Sequence, residues 1–172
     1  MAKVIGVIGE SGAGKTTSLR NLDPQTTFYI DCDKKGLNWK GWRKQYSAEG
    51  NPPNYFKTDN PSTVQNLLKK LNEQENMRKF NVAVIDTING IMVAEEMRNA
   101  KVQGYGKWTD LATYIYDIID FSLLMREDIT VIILAHSETI SDDNGYLFTR
   151  IKTNGRKLDR IVLESKLTTV LL

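Results

Sequence analysis

The chain has 172 residues, of which 41% are hydrophobic and 26% charged, and its formal net charge is +2. This is enough chain for one domain with a hydrophobic core and too little for two. No apolar run reaches the roughly 18 residues of a membrane span, the apolar stretch at residues 4–8 is too short for a secretory signal, and the single cysteine excludes an intramolecular disulfide framework. These features predict a cytoplasmic protein without a membrane partner. The mildly basic charge does not by itself predict a nucleic-acid partner.

Strands and helices alternate along the first half of the chain. The predicted elements, in order, are a strand at residues 4–8, a helix at about 15–22, a strand at 27–31 and a helix at about 62–77. The first strand is a continuous β-branched run, which is typical of a strand buried on both faces. Ser62 is expected to cap the helix at 62–77, and the glycine- and proline-containing segment 34–60 is predicted to be irregular.

The alternation continues in the second half. The predicted elements are a strand at 80–86, helices at about 89–102 and 109–126, a strand at 129–135, a hairpin at 139–152, a short helix at about 157–163 and a strand at 167–172. Asn144-Gly145 suits the hairpin turn. The pattern predicts a three-layer α/β fold with a mainly parallel sheet, in a single domain over residues 1–172. Because the chain stops in an apolar strand, we also expect a missing or separately folded C-terminal tail.

The turn after the first strand carries a phosphate-binding signature. Gly9-Glu10-Ser11-Gly12-Ala13-Gly14-Lys15-Thr16 matches G-x-x-x-x-G-K-[ST] at every fixed position and opens a helix. The glycines let backbone N–H groups surround an anion, and the helix dipole favours its charge. Lys15 is expected on the β- and γ-phosphates and the Thr16 hydroxyl on Mg²⁺. The segment from Gly9 to Thr17 is therefore predicted to bind a nucleoside triphosphate, with Mg-ATP as the first choice.

An apolar strand that ends in an acid supplies a second element of the same site. Val82-Ala83-Val84-Ile85-Asp86 has the Walker B form, in which Asp86 holds Mg²⁺ through water. The next residue is Thr87, where many ATPases place a catalytic glutamate, so the group that orients the attacking water must come from elsewhere. Asp33 is the first choice and Asp31 the second, because both end a strand at the carboxyl edge of the sheet. The alternative is that Asp33 is a surface acid in a turn.

His136 is the only histidine. It directly follows the strand at 129–135 and therefore emerges at the same edge of the sheet. This position predicts contact with the γ-phosphate or the attacking water, although a lone histidine is more often structural.

Two segments combine basic and aromatic side chains, the ingredients of single-strand binding. The first contains Lys34, Lys35, Lys40, Arg43, Lys44, Trp39, Trp42 and Tyr46. Its alternative explanation is a solvated loop whose tryptophans pack on the domain or on another subunit. The second contains Tyr105, Lys107 and Trp108 beside a glycine-flanked break, and it is the better candidate for a mobile loop that contacts DNA.

Several short motifs together resemble the RecA-like ATPases, and more closely the small phage nucleotide-binding proteins of the RecA-like single-strand-annealing type. Besides the P-loop they are Tyr-Ile-Asp-Cys-Asp-Lys at 29–34, Val-Ile-Asp-Thr-Ile at 84–88, Tyr-Gly-Lys-Trp at 105–108, Ile-Leu-Ala-His-Ser-Glu at 133–138 and Thr-Asn-Gly-Arg-Lys-Leu at 153–158. The resemblance covers nearly the whole chain. It implies a RecA-like P-loop NTPase fold and, for a phage protein, a location in the host cytoplasm.

The resemblance also implies roles for individual residues. Asp33 falls where RecA-like proteins carry a catalytic glutamate, and the shorter side chain predicts slow hydrolysis. His136 falls where RecA proteins carry a glutamine that senses the γ-phosphate. Segments 100–110 and 137–152 occupy the places of two DNA-binding loops. Arg156 or Lys157 is expected to reach the nucleotide of a neighbouring subunit in a ring or filament of identical chains, the alternative being a solvated turn.

Three functions compete on this basis. The first is a slow, DNA-stimulated ATPase that acts on single-stranded DNA in phage recombination or annealing. The second is a P-loop kinase for a nucleotide or small metabolite, although the segment 139–152 offers only Arg150 as a clamp for phosphates. The third is a nucleotide-dependent interaction module with little turnover. No Asn-Lys-x-Asp guanine signature appears, which argues against a GTPase.

Overall fold

A computed structural model describes residues 1–104, 106–141, 144–154, 158 and 161–172. Strands and helices alternate along these residues as the sequence predicts. In chain order the elements are β1 (Lys3–Gly9), α1 (Lys15–Ser18), β2 (Thr27–Asp31), α2 (Trp42–Gln45), β3 (Tyr55–Lys57), α3 (Pro61–Glu73), β4 (Val82–Asp86), α4 (Ile88–Arg98), α5 (Gly106–Leu124), β5 (Thr130–Ser141), β6 (Leu147–Ile151) and β7 (Thr169–Leu171). Short 3-10 turns lie at Glu75–Met77 and Leu163–Lys166.

One sheet organises the molecule. Its strand order is β3-β2-β4-β5-β1-β7, and each of these neighbouring pairs is parallel. β6 pairs antiparallel with the outer half of β5, from Ser137 opposite Ile151 to Ser141 opposite Leu147. The predicted α/β fold of a P-loop NTPase, with a mainly parallel sheet, is confirmed.

The order places β5 between the strand that leads into the P-loop and the strand that ends in Asp86. Gly9 lies opposite His136 in the register of β1 and β5, and Asp86 lies opposite Leu134 in that of β4 and β5. The carboxyl ends of these strands therefore meet at one edge, where ligands of open α/β sheets bind.

Strand side chains alternate between two hydrophobic clusters, one on each face of the sheet. On the first face, Phe28 and Ile85 pack with the buried sides of α3, α4 and α5. On the second face, Tyr29 and Val84 pack with Leu19 and with the aromatic side chains of residues 37–46. The layer on this second face is thus a short helix and an aromatic segment.

Several predicted boundaries are wrong by a few residues. The helix after the P-loop is a single turn that ends at Ser18, after which the hydrogen bonds from Leu19 N to Thr16 O and from Arg20 N to Thr17 O form turns. Helix α5 begins at Gly106, and tertiary packing of its apolar side overrides the low helix propensity of that glycine.

The N-cap of α3 is also corrected. Asn60, and not Ser62, is the capping residue, because its side chain accepts a hydrogen bond from Thr63 N at 3.1 Å. Pro61 then occupies the first helical position, where a missing N–H costs nothing.

The other differences concern irregular segments. Segment 34–60 contains α2 and β3, so it is less irregular than predicted. The predicted hairpin is present as β5 and β6. Of the helix predicted at about 157–163, residues 157, 159 and 160 lie outside the described residues. Ile161 and Val162 are not helical, and a 3-10 turn begins at Leu163. No helix in the described part of the chain is both long and apolar enough to span a membrane.

Candidate active site

The P-loop has the backbone conformation that its glycines permit. Gly12 and Gly14 have φ angles of 83° and 88°, in the left-handed region that side chains with a Cβ rarely adopt. An added Cβ at either position would meet nothing within 4 Å, so backbone conformation, and not crowding, requires glycine there. Gly9 differs, because a Cβ there would lie 3.3 Å from the Cβ of Ala13.

Lys15 folds back over the loop that precedes it. Its Nζ donates to Gly9 O at 2.7 Å and to Glu10 O at 2.8 Å, and it lies 3.3 Å from His136 Nδ1. Burial lowers the pKa of Lys15, while the charge of Asp86 opposes this shift. The ammonium group thus lies inside the loop that the motif assigns to phosphate binding.

Asp86 is buried beside the start of α1. Its Oδ2 accepts hydrogen bonds from Thr16 Oγ1 at 2.7 Å and from Tyr29 OH at 2.5 Å. Burial raises the pKa of Asp86, and the two hydrogen bonds oppose that rise. Its Oδ1 is buried and has no hydrogen-bond partner among the described residues.

This orphaned oxygen fits a magnesium site. A hard cation prefers carboxylate and hydroxyl oxygens, and the Thr16 hydroxyl and Asp86 Oδ1 provide these within one hydrogen-bonded group. Within the described residues, no cluster of three or more His, Cys, Asp or Glu side chains could hold a metal. A metal held at Thr16 and Asp86 would therefore take its other ligands from nucleotide phosphates and water.

Asp33 and Asp31 have different surroundings. Asp33 Oδ1 accepts from Thr87 Oγ1 at 2.9 Å, and its Oδ2 is paired with Lys35 Nζ at 2.6 Å. Burial opposes ionisation of Asp33, but these two partners hold its pKa below the usual value. The Asp33 carboxylate is therefore ionised. It can orient a water by accepting a hydrogen bond from it, but it is a weak base.

The carboxylate of Asp31 makes structural hydrogen bonds. Its Oδ2 accepts from Tyr55 OH at 2.6 Å and from Gly36 N at 2.8 Å, and the residue is buried. Asp31 thus stabilises the turn that carries Asp33. The geometry favours Asp33 over Asp31 as the group that orients water.

His136 lies where β5 leaves the parallel sheet. Burial and then the charge of Lys15 lower the pKa of His136, so the ring is neutral at pH 7 and Nδ1 can accept from Lys15. Its backbone N donates to Asn89 Oδ1 at 2.7 Å, and Asn89 Nδ2 donates to Lys152 O at 2.7 Å. The buried Asn89 therefore links the end of the sheet to the exit of the β5–β6 hairpin.

A cleft adjoins these groups along the carboxyl edge. A cavity of about 400 Å³ is lined by Glu10 and Ser11 of the P-loop and by His136 and Asn89. A second depression of about 330 Å³ shares His136 and Asn89 and reaches Asp33. The predicted residues Lys15, Thr16, Asp86, Asp33 and His136 are thus brought together at one edge of the sheet.

The predicted DNA-contacting residues are placed less favourably. Trp108 is half-buried and packs against the main hydrophobic cluster. Lys107 Nζ lies 5.4 Å from the centre of the Trp108 ring and donates to Asn99 O at 3.4 Å. Tyr105, together with the trans-acting candidates Arg156 and Lys157, lies outside the described residues.

The aromatic segment at 37–46 packs on the domain. The Trp42 ring lies 5.1 Å from that of Tyr55, and the Trp39 ring 6.2 Å from that of Tyr46. Both tryptophans belong to the second hydrophobic cluster. Packing on the domain, the alternative to base stacking, therefore accounts for these rings.

Sequence reasoning missed roles for Tyr29, Asn89 and Thr87, and it assigned Lys35 only to a possible DNA-binding segment. Thr87 and Asn89 directly follow the Walker B strand, and their proximity to Asp86 was a usable signal. Tyr29 lies inside a strand and carried no such signal, because its partner is 57 residues away.

The sheet, the P-loop and the Thr16–Asp86 pair define a P-loop nucleoside triphosphatase. A family model described as an AAA domain (AAA_24) matches residues 1–171, and the chain belongs to this family of AAA-type P-loop ATPases. A search of curated proteins found no match.

Proposed function

We propose that the chain hydrolyses ATP with Mg²⁺ and that it does so as a homo-oligomer on single-stranded DNA, in recombination or annealing of phage DNA. The observation that carries the ATPase part is the buried group of Thr16 and Asp86. A 2.7 Å hydrogen bond joins the two side chains, and one carboxylate oxygen has no partner among the described residues.

Each residue of the candidate site then has a role in the transfer of the γ-phosphoryl group to water. Lys15 binds the β- and γ-phosphates, and Thr16 and Asp86 hold Mg²⁺, which neutralises charge on the phosphates when bound. Asp33 orients the attacking water by accepting a hydrogen bond from it. His136, as a neutral ring at 3.3 Å from Lys15 Nζ, is placed to respond to the γ-phosphate.

The β5–β6 hairpin supports the DNA part of the proposal. β5 carries His136 and continues directly into the hairpin, so one strand links the candidate site to the hairpin. The exposed side chains Leu147 and Phe148 lie at the start of β6, and the exposed Tyr146 directly precedes them. Exposed aromatic rings are the groups on which bases of a single strand stack.

Phosphate release with and without single-stranded DNA tests the function. Wild-type protein should release phosphate from ATP slowly, and single-stranded DNA should accelerate it. Lys15→Ala should abolish ATP binding in calorimetry while leaving the fold intact, because the Lys15 ammonium contacts the P-loop carbonyls of Gly9 and Glu10 and the residue lies outside both hydrophobic clusters. The control is Lys69→Ala, which removes an exposed lysine on α3. Unchanged ATP affinity in Lys15→Ala would contradict the P-loop assignment.

The DNA part has a separate outcome. Affinity for single-stranded DNA should fall steeply with salt, since phosphate contacts release counterions. Phe148→Ala, which removes an exposed ring of β6, should weaken it further. Absence of binding at low salt with ATP present would remove the recombination proposal. A screen of phosphate acceptors then tests the alternative of a P-loop kinase.

A further inference from the structure

Lys35 pairs with Asp33 of the candidate site and has no role in the chemistry above. Its Nζ is 2.6 Å from Asp33 Oδ2, and its side chain is 48% exposed. Among the described residues, no other hydrogen bond or ion pair holds it. The neighbouring Lys34 instead pairs with Asp59 at 2.5 Å, away from the P-loop.

The two oxygens of Asp33 are unequally available. Oδ1 is held by Thr87 Oγ1 at 2.9 Å, and the same hydroxyl caps α4 by accepting from Gly90 N at 3.2 Å. Thr87 is buried and cannot easily move away. Oδ2 is therefore the oxygen that could accept a hydrogen bond from a water, and it is the oxygen paired with Lys35 Nζ.

The turn that carries Lys35 is well fixed. Gly36, at φ 81°, donates its N–H to the buried carboxylate of Asp31, and Lys34 has a φ of 58°. Asp33, the partner of Lys35, lines the same depression as His136, and His136 Nδ1 lies 3.3 Å from Lys15 Nζ. The Lys35–Asp33 pair therefore adjoins the depression that leads to the phosphate-binding groups.

We propose that Lys35 exchanges partners during the ATPase cycle. Without nucleotide its ammonium pairs with Asp33 Oδ2, and with ATP bound it pairs with oxygens of the γ-phosphate. Asp33 Oδ2 is then free to accept a hydrogen bond from the attacking water. Lys35 stays protonated throughout, so no proton is transferred to or from it. The inference rests on the proposed ATPase function and adds a second cation in cis.

The exchange has a consequence for nucleotide selectivity. The Lys35 ammonium is half-exposed and exchanges one anionic partner for another, so the change of partner costs little. The new pair forms only with a γ-phosphate, which ADP lacks. Lys35 should therefore contribute to the affinity for ATP and not to that for ADP.

Calorimetry with Mg²⁺, using ADP and a non-hydrolysable ATP analogue, tests the inference. In Lys35→Ala the affinity for the ATP analogue should fall roughly tenfold, while that for ADP stays the same. Lys34→Ala is the matched control, because it removes the adjacent lysine and its ion pair with Asp59. It should leave both nucleotide affinities unchanged. Lys35→Arg should restore most of the preference for the triphosphate.

A second variant approaches the same exchange from the other side. Asp33→Asn weakens the competing ion pair, so affinity for the ATP analogue should rise and that for ADP should not change. The inference is overturned if Lys35→Ala lowers both affinities equally, which would mean that the lysine only supports the turn. It is also overturned if both affinities are unchanged. If wild-type protein binds neither nucleotide, the proposed function itself fails, which is a distinguishable result.

Discussion

At the scale of single residues, the two oxygens of the Asp86 carboxylate are in different environments. Oδ2 accepts from Thr16 and Tyr29, whereas Oδ1 has no partner among the described residues. If the oxygen of the Thr16 hydroxyl held a metal, its O–H could still donate to Asp86 Oδ2, and the phenol of Tyr29 would orient the carboxylate together with it. Replacing a group that orients a metal ligand typically lowers metal affinity by about 10- to 100-fold.

Tyr29→Phe is therefore expected to weaken Mg²⁺-dependent nucleotide binding by roughly tenfold or more while leaving binding in EDTA unchanged. Asp86→Asn should have a larger effect of the same kind, because an amide is a poorer ligand for a hard cation. The measurement is nucleotide affinity across a Mg²⁺ titration. Tyr55→Phe is the control, since it removes a similar hydroxyl from another buried aspartate, Asp31. Equal losses with and without Mg²⁺ would show that Tyr29 and Asp86 are structural.

At the scale of elements, one capping side chain, that of Asn60, fixes the N-terminus of helix α3. Asn60 accepts from Thr63 N and precedes Pro61, whereas Ser62 is already inside the helix and exposed. Leu68 and Leu71 on the inner side of α3 are fully buried against the sheet. The cap therefore stabilises a helix that forms one wall of the main core.

Asn60→Ala should lower the free energy of unfolding by about 1 kcal/mol, because a helix N–H loses its partner. Ser62→Ala should change it by less than about 0.5 kcal/mol, as expected for an exposed site without a special contact. Urea denaturation of both variants measures the difference. A larger loss in Ser62→Ala than in Asn60→Ala would contradict the observed cap.

At the scale of the whole molecule, the expected oligomer would complete the site. Arg156 and Lys157 are predicted from sequence to act on the nucleotide of a neighbouring chain. A cation supplied in this way is worth roughly 10³ to 10⁵ in rate. Lys15→Ala retains its own Arg156 and Lys157, and the double variant Arg156→Ala, Lys157→Ala retains its own P-loop.

Mixing these two inactive proteins should therefore restore part of the ATPase activity, measured as phosphate release. Differently tagged chains provide the control, because their co-purification shows that mixed oligomers form. A mixture that stays inactive although such oligomers are present would rule out the trans-acting role. Full activity of the wild type as a monomer would do the same.

Features that depend on adjacent residues could be predicted from the amino-acid sequence. The P-loop conformation follows from glycines that reach φ angles above 80°, and these lie within eight consecutive positions. The strands could be predicted because buried strands are apolar runs, and their alternation with helices is enough to indicate a parallel sheet. The end of α1, before Leu19, and the start of α5, at Gly106, were less predictable, because they depend on tertiary packing as well as on local sequence.

Contacts between residues that are distant in sequence depend on the folded arrangement of the strands. The Thr16–Asp86 hydrogen bond spans 70 positions and the Tyr29–Asp86 bond 57, and each depends on strand order. The placement of β5 between β1 and β4 brings His136 beside Lys15. A side chain such as Tyr29 has the same local sequence pattern whether it only packs on a sheet or also donates a hydrogen bond to a carboxylate such as Asp86. Its partner is chosen by the arrangement of the strands, which is a property of the folded chain and not of its neighbours in sequence.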